Sequence, residues 1–233
     1  LADGFAAYEE LRAKDLTAWR LLMSETIHPG MLGHKLFAEV MAEAISGHRV
    51  SLEEVGPPDD SLRFTLARLR AGEPVKVVAM PPYDAIVPGV LKQLFPSAGI
   101  EVVSWPVEGC TVGEIMAWSE RIRGMKPDLV VAAIPASAGS ESEEAFIREY
   151  AWVLSYSLAF GGAEWDLLPI LPSVTQPLVG EVEQQRAALA ARIVRGYDYA
   201  SVERAPGDGR GAAEILGAWI TERFNATAAN QEE

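Results

Sequence analysis

The sequence is short of several things, and each shortage excludes something. It has a single cysteine, Cys110, in 233 residues. An internal disulfide framework is therefore excluded. It has 3 histidines, His28, His34 and His48, all before residue 50. No imidazole is available to any site built only from the later chain. Positive charge is scarce: 20 Lys and Arg stand against 33 Asp and Glu, for a formal charge of −13. Nucleic acid and anionic membrane surfaces call for basic patches, so neither is expected as a main partner. No run approaches the ~18 apolar residues needed to cross a bilayer. The first residues show no basic segment followed by an apolar core, so no secretory leader is legible. The compartment stays open between cytoplasmic and exported.

What is there suits a soluble globular chain. Hydrophobic residues make up 49% and charged residues 23%, and no low-complexity block dominates. The length allows one large domain, or one and a half small ones. Residues 5–13 read as a short helix. An apolar patch of Trp19, Leu21, Leu22 and Met23 leads into a loop, and Pro29 precedes a helix over residues 35–45. There Leu32, Leu36, Phe37, Val40, Met41 and Ala44 recur at threes and fours, which gives one buried face. Such a helix is expected to pack on a sheet. Residues 47–74 read as a connector. Its turn cluster at 56–60 offers Asp59 and Asp60 as caps for a helix over 61–71.

From residue 75 the pattern changes. Strands are expected at 75–80, 100–105, 127–134 and 166–172, with helices at 88–95, 111–123, 141–160, 181–197 and 211–224. The strands are continuous apolar runs and alternate with helices, which predicts a parallel sheet covered on both faces. The fold class expected is α/β, a flavodoxin-like three-layer αβα sandwich. Residues 225–233 read as a polar, disordered tail.

The stretch with the most chemistry is Ser24-Glu25-Thr26-Ile27-His28-Pro29-Gly30-Met31-Leu32-Gly33-His34. A carboxylate three residues before an imidazole, in a short loop, can orient that imidazole to take a proton from a nucleophile. The bland alternative is a capping or core histidine at a helix start. His34 reads as structural. A zinc site from His28, His34 and Glu39 has no recognisable ligand spacing.

This stretch resembles the closing block of the SGNH (GDSL-type) hydrolases, Asp-x-x-His-Pro with a Gly-His a few residues on. The resemblance implies His28 as catalytic base and Glu25 in the place of the usual aspartate. It covers residues 1–46 and implies that they are the end of an SGNH-like domain. The Gly-Asp-Ser nucleophile block of that family has no counterpart before them. A dimer or a preceding N-terminal segment would have to supply the serine.

Residues 75–224 resemble a second, degenerate copy of the same domain. Pro81-Pro82-Tyr83 stands where the family has its Gly-Asp-Ser turn, so Tyr83 matches the nucleophile. Gly109, within Val107-Glu108-Gly109-Cys110, matches the glycine of the oxyanion hole and is retained. Pro135-Ala136-Ser137 replaces the Gly-x-Asn block. In Glu203-Arg204-Ala205-Pro206, Ala205 takes the place of the histidine. A tyrosine without a base is expected to be inert.

Other residues carry less. Ser140 with Glu143, or in a poorer register Ser142 with Ala145, reads better as a helix cap than as a nucleophile. Cys110 reads as a buried, inert thiol. Trp105, Trp118, Trp152 and Trp165 read as core residues before they read as sugar-stacking platforms. No cofactor and no metal is implied. The expected function is deacylation of a carbohydrate or small ester by an SGNH-type hydrolase or a fragment of one. The alternative is a non-catalytic pseudoenzyme that binds a glycan or a protein.

Overall fold

A computed structural model describes residues 2–24, 28–56, 61–159 and 164–229. Its centre is an all-parallel sheet of four strands, β1 (Val75–Ala79), β2 (Ile100–Ser104), β3 (Leu129–Ala132) and β4 (Asp166–Pro169), in the order β2-β1-β3-β4. Beyond β4 a single parallel bridge joins Ile170 to Val202. Val202 N–H donates to Pro169 O at 3.0 Å, and Leu171 N–H donates to Val202 O at 3.0 Å. The bridge stands where a fifth strand would continue the order. β1 and β3 are buried almost throughout, as their unbroken apolar text predicts.

Eleven helices are seen among the described residues. The N-terminal group is α1 (Gly4–Lys14), α2 (Leu16–Arg20) and α3 (Met31–Ser46). Then come α4 (Arg63–Arg70), α5 (Tyr83–Leu94), α6 (Val112–Ser119), α7 (Ile122–Met125) and α8 (Glu143–Ser157). Last are α9 (Pro172–Thr175), α10 (Gly180–Gly196) and α11 (Ala212–Ala229). α5 and α11 pack together on one face of the sheet, and α6, α8 and α10 form the other layer. The architecture is thus α/β with a parallel sheet between helical layers. None of the described helices is long and apolar enough to cross a membrane.

Several boundaries differ from the sequence expectation, for local reasons. The helix expected at 88–95 begins at Tyr83, with Pro88 inside it. Pro88 lies in the second turn and removes only one bond of the ladder. The helix expected at 111–123 is two pieces, α6 and α7. A complete capping box opens α6: Thr111 Oγ1 accepts from Glu114 N–H, and Glu114 accepts from Thr111 N–H. α11 continues to Ala229, past the expected end at residue 224.

The cap of α4 is not local. Its N-cap, Leu62, has φ 63° and offers no side-chain bond. Asp59 and Asp60 lie outside the described residues. Asp166, at the start of β4, does the capping instead. Its carboxylate accepts from Thr65 N–H at 2.7 Å, Thr65 Oγ1 at 2.7 Å and Phe64 N–H at 3.3 Å. Next to it, Asp128 accepts from Lys76 N–H at 2.7 Å, and Arg68 Nε lies 3.1 Å from its other oxygen. These groups tie α4 to the amino edge of the sheet.

Candidate functional site

In open parallel sheets, ligands bind outside the carboxyl edge where the strand order reverses. Here the chain runs from β1 outward to β2 and then returns to β3 on the other side of β1, so the reversal lies between β1 and β3. The loops that meet there are 80–83, after β1, and 133–142, after β3.

The loop after β1 is filled, not open. Tyr83 is completely buried. Its hydroxyl lies 3.1 Å from Thr175 Oγ1. Burial pushes the Tyr83 phenol above its ordinary value, against the opposing pull of Thr175 and the positive charge of Arg204. Met80 is buried too, and its sulfur accepts from Ala133 N–H at 3.0 Å, which closes the gap between the two loops. The Pro81-Pro82 peptide bond is cis.

Arg204 seals the third side. Its Nε donates to Ser173 O at 2.7 Å and its Nη2 to Val174 O at 2.9 Å. Its Nη1 donates to Asp208 O at 2.7 Å and Arg210 O at 2.6 Å. One guanidinium thus fastens the 204–210 loop to α9. The loop is tightened further by Asp208, whose carboxylate accepts from Arg210 N–H and guanidinium. Those bonds hold the Asp208 carboxyl well down, at about 2. Ala205 is exposed on this loop. Sequence reasoning passed over Arg204.

Gly109 has φ 72° and lies exposed in the turn where Cys110 N–H donates to Val107 O at 3.2 Å. A left-handed backbone there suits glycine. Cys110 is half-buried, with its thiol 3.8 Å from Glu108 O. Ser142 caps α8 by accepting from Ala145 N–H at 3.1 Å, which is the second of the two registers considered. Ser140 instead donates to Glu149 at 2.6 Å. Ser137 is exposed, and its carbonyl accepts from Arg186 at 3.1 Å.

A cleft of about 450 Å³ opens between α8 and α10 beside this edge, and its lining includes Thr17, Ser140, Ser142, Gln185, Arg186 and Arg192. Its polar groups are engaged. Thr17 donates to Glu143 at 2.6 Å, Arg20 to Glu144 at 2.9 Å, and Arg192 lies 3.6 Å from Asp15. α2 is thereby strapped across the mouth. None of the 6 tryptophans is exposed: Trp105 stacks on Trp118 at 5.0 Å, Trp152 stacks on Tyr156 at 5.0 Å, and Trp165 donates to Ser157 O.

His28 lies elsewhere. Its carbonyl accepts from Ser24 N–H at 2.9 Å and Ser24 Oγ at 3.0 Å, and a bridge between Met23 and Pro29 closes the loop. Its residue is exposed, as are His34 and His48. Glu25 lies outside the described residues. Gly33 lets α3 approach this turn, since a Cβ there would sit 2.4 Å from Leu22 O and from Tyr8 Oη. The loop is fixed to the end of α10, where Tyr197 Oη donates to Ser24 O at 3.0 Å and Lys35 pairs with Asp198 at 2.9 Å. α10 returns from the end of β4 to the parallel residue Val202, so it runs against the strands and ends toward their amino side. The structure therefore sets His28 apart from Gly109 and Tyr83, which lie at the carboxyl edge. Among the described residues, no group of three or more His, Cys, Asp or Glu is placed to hold a metal ion. Compared with family models, curated proteins and solved structures, the chain matches none of them.

Proposed function

We propose that residues 75–224 form a non-catalytic α/β module of SGNH-like descent, which works by presenting surfaces to a partner and not by ester chemistry. The observation that carries this reading is the state of Tyr83. The side chain in the nucleophile's place is buried, bonded to Thr175 and remote from any histidine. Serine-type ester hydrolysis needs a solvent-facing nucleophile, a base and oxyanion donors. Only Gly109 remains of that set. Glycan binding by stacking is less favoured than protein docking, because no tryptophan is exposed.

A second reading keeps the ester hydrolase, acting on a carbohydrate or small ester. In it, His28 is the base, Glu25 orients it, and the serine comes from outside these 233 residues. The exposure of His28, whose carbonyl accepts from Ser24, favours this reading. Fluorophosphonate labelling of the natively produced protein, with peptide mapping, separates the two. The module reading expects no labelled serine within residues 75–224. A labelled serine there overturns it. Label on a peptide outside this sequence, lost in His28→Ala, supports the hydrolase.

A further inference from the structure

The single buried face expected of α3 is covered only in part: Gly33 is buried against Leu22 and Tyr8 and Phe37 packs on the Tyr8 ring at 5.2 Å, while the outer side of the helix faces water. At 3.6 residues per turn, His34, Phe37, Ala38, Met41, Ala44 and Ile45 fall on one side of the helix. Phe37, Met41 and Ile45 are 37%, 50% and 87% exposed, and Phe5 of α1 is 76% exposed. Phe5 is close by, because its neighbour Gly4 abuts the Phe37 ring. The spacing 34, 37, 41, 44 is the alternating three-and-four stripe along which helices pair. α11, by contrast, buries Ile215, Leu216 and Ile220 in the core. Met41 and Ile45 of α3 have no comparable cover.

Charge sorts itself around the stripe. The two carboxylates of α3 lie on its other side: Glu39 accepts from Leu52 N–H at 2.6 Å, and Glu43 pairs with Arg49 at 3.3 Å. The stripe itself carries none, in a chain that has 33 Asp and Glu. Two copies at −13 each repel overall, so they approach most easily through a carboxylate-free surface.

We infer that this stripe is the interface of a homodimer, with the α3 helices of two copies packed antiparallel about a two-fold axis near Met41. Pairing about that point sets Phe37 of each copy against Ile45 of the other, which makes the patch self-complementary as a closed dimer requires. The four exposed side chains leave about 450 Å² of apolar surface, taking ~180 Å² for one fully exposed large side chain. A standard interface buries ~800 Å² per partner and is a little over half apolar, so the stripe and its polar rim supply one side of such an interface. This inference goes beyond the proposed module function and does not depend on it.

The test is sedimentation velocity on the full 233-residue chain at ~1 to ~100 µM, at low and high salt, with Met41→Glu and Ile45→Glu as variants. Both side chains are exposed, so far-UV circular dichroism should show both variants folded. A dimer is expected that tightens as salt screens the net repulsion and weakens at least tenfold in each variant. A monomer across the whole range overturns the inference and leaves the stripe to a different unit. A dimer indifferent to both substitutions, or open-ended oligomers, overturns it equally.

Discussion

Replacing Arg204 tests whether the carboxyl edge is held shut as described. The guanidinium makes four bonds to carbonyls, those of Ser173, Val174, Asp208 and Arg210, at 2.6–2.9 Å. A bond from a charged donor contributes ~1.5–3 kcal/mol in isolation. The four cannot add, because the 204–210 side is largely exposed and its carbonyls rehydrate once released. Only the Ser173 and Val174 carbonyls lose a partner next to buried packing. A net loss of about 3 kcal/mol is therefore expected for Arg204→Ala, out of a total of ~5–15. Arg204→Lys keeps the charge but replaces the fork with a point donor that cannot span all four carbonyls, so about 2 kcal/mol is expected. In a chain of this size those losses lower Tm by about 4 to 12 °C. Urea unfolding followed by far-UV circular dichroism measures the loss, and hydrogen exchange locates it at residues 171–176 and 204–211. A lysine variant as stable as the parent, or an alanine variant within ~0.5 kcal/mol of it, would show that the fork geometry is idle.

Two further outcomes follow from geometry alone. Asp166→Ala strands the Thr65 N–H and hydroxyl and uncaps α4, so a loss of about 3 kcal/mol is expected in the same unfolding assay, with Asp166→Asn intermediate. A loss below ~1 kcal/mol would mean that another group caps α4. The Asp208 carboxyl is held down to about 2 by Arg210, so its contribution is present above the ordinary carboxylate range and fades as pH falls from about 4 to about 2. Carbon-detected NMR titration of the aspartate carboxyls checks this. An Asp208 midpoint near 4 would refute the bond to Arg210.

The sheet is legible in the sequence because parallel strands buried on both faces are written as unbroken apolar runs. Leu129 to Ala132 has no polar residue to confuse with a helix face. The amphipathic helices are legible by their period, although their ends are not. Pro88 looks like a first-turn proline when only neighbours are read, and nothing local announces that Tyr83 already begins the helix. The cap of α4 is illegible in principle, since Asp166 lies about a hundred residues from Thr65 and only the folded sheet brings them together. The same holds for the candidate site. That the later chain holds no histidine is plain from the text alone. That Tyr83 is buried against Thr175, and that Arg204 clasps four carbonyls, depends on how three loops meet at one edge. Serine caps show the limit at short range: two overlapping registers fit the text, and Ser142 is the one taken.

The single-residue bridge at Val202 bears on how the protein keeps its sheet to itself. An open sheet has two borders, and an unguarded border recruits strands from other molecules. At one border the exposed residues of β2 are polar, Glu101 paired with Lys76 of β1 and Ser104 donating to Asp84, and charged side chains on a border strand discourage addition. At the other border β4 is four residues long and ends in Pro169, which has no N–H to offer. Leu171, the next outward donor, is already spent on Val202. A full fifth strand would only have moved the problem outward by one place. A stub that consumes one donor and one acceptor, next to a proline, leaves a would-be fibril almost nothing to grip.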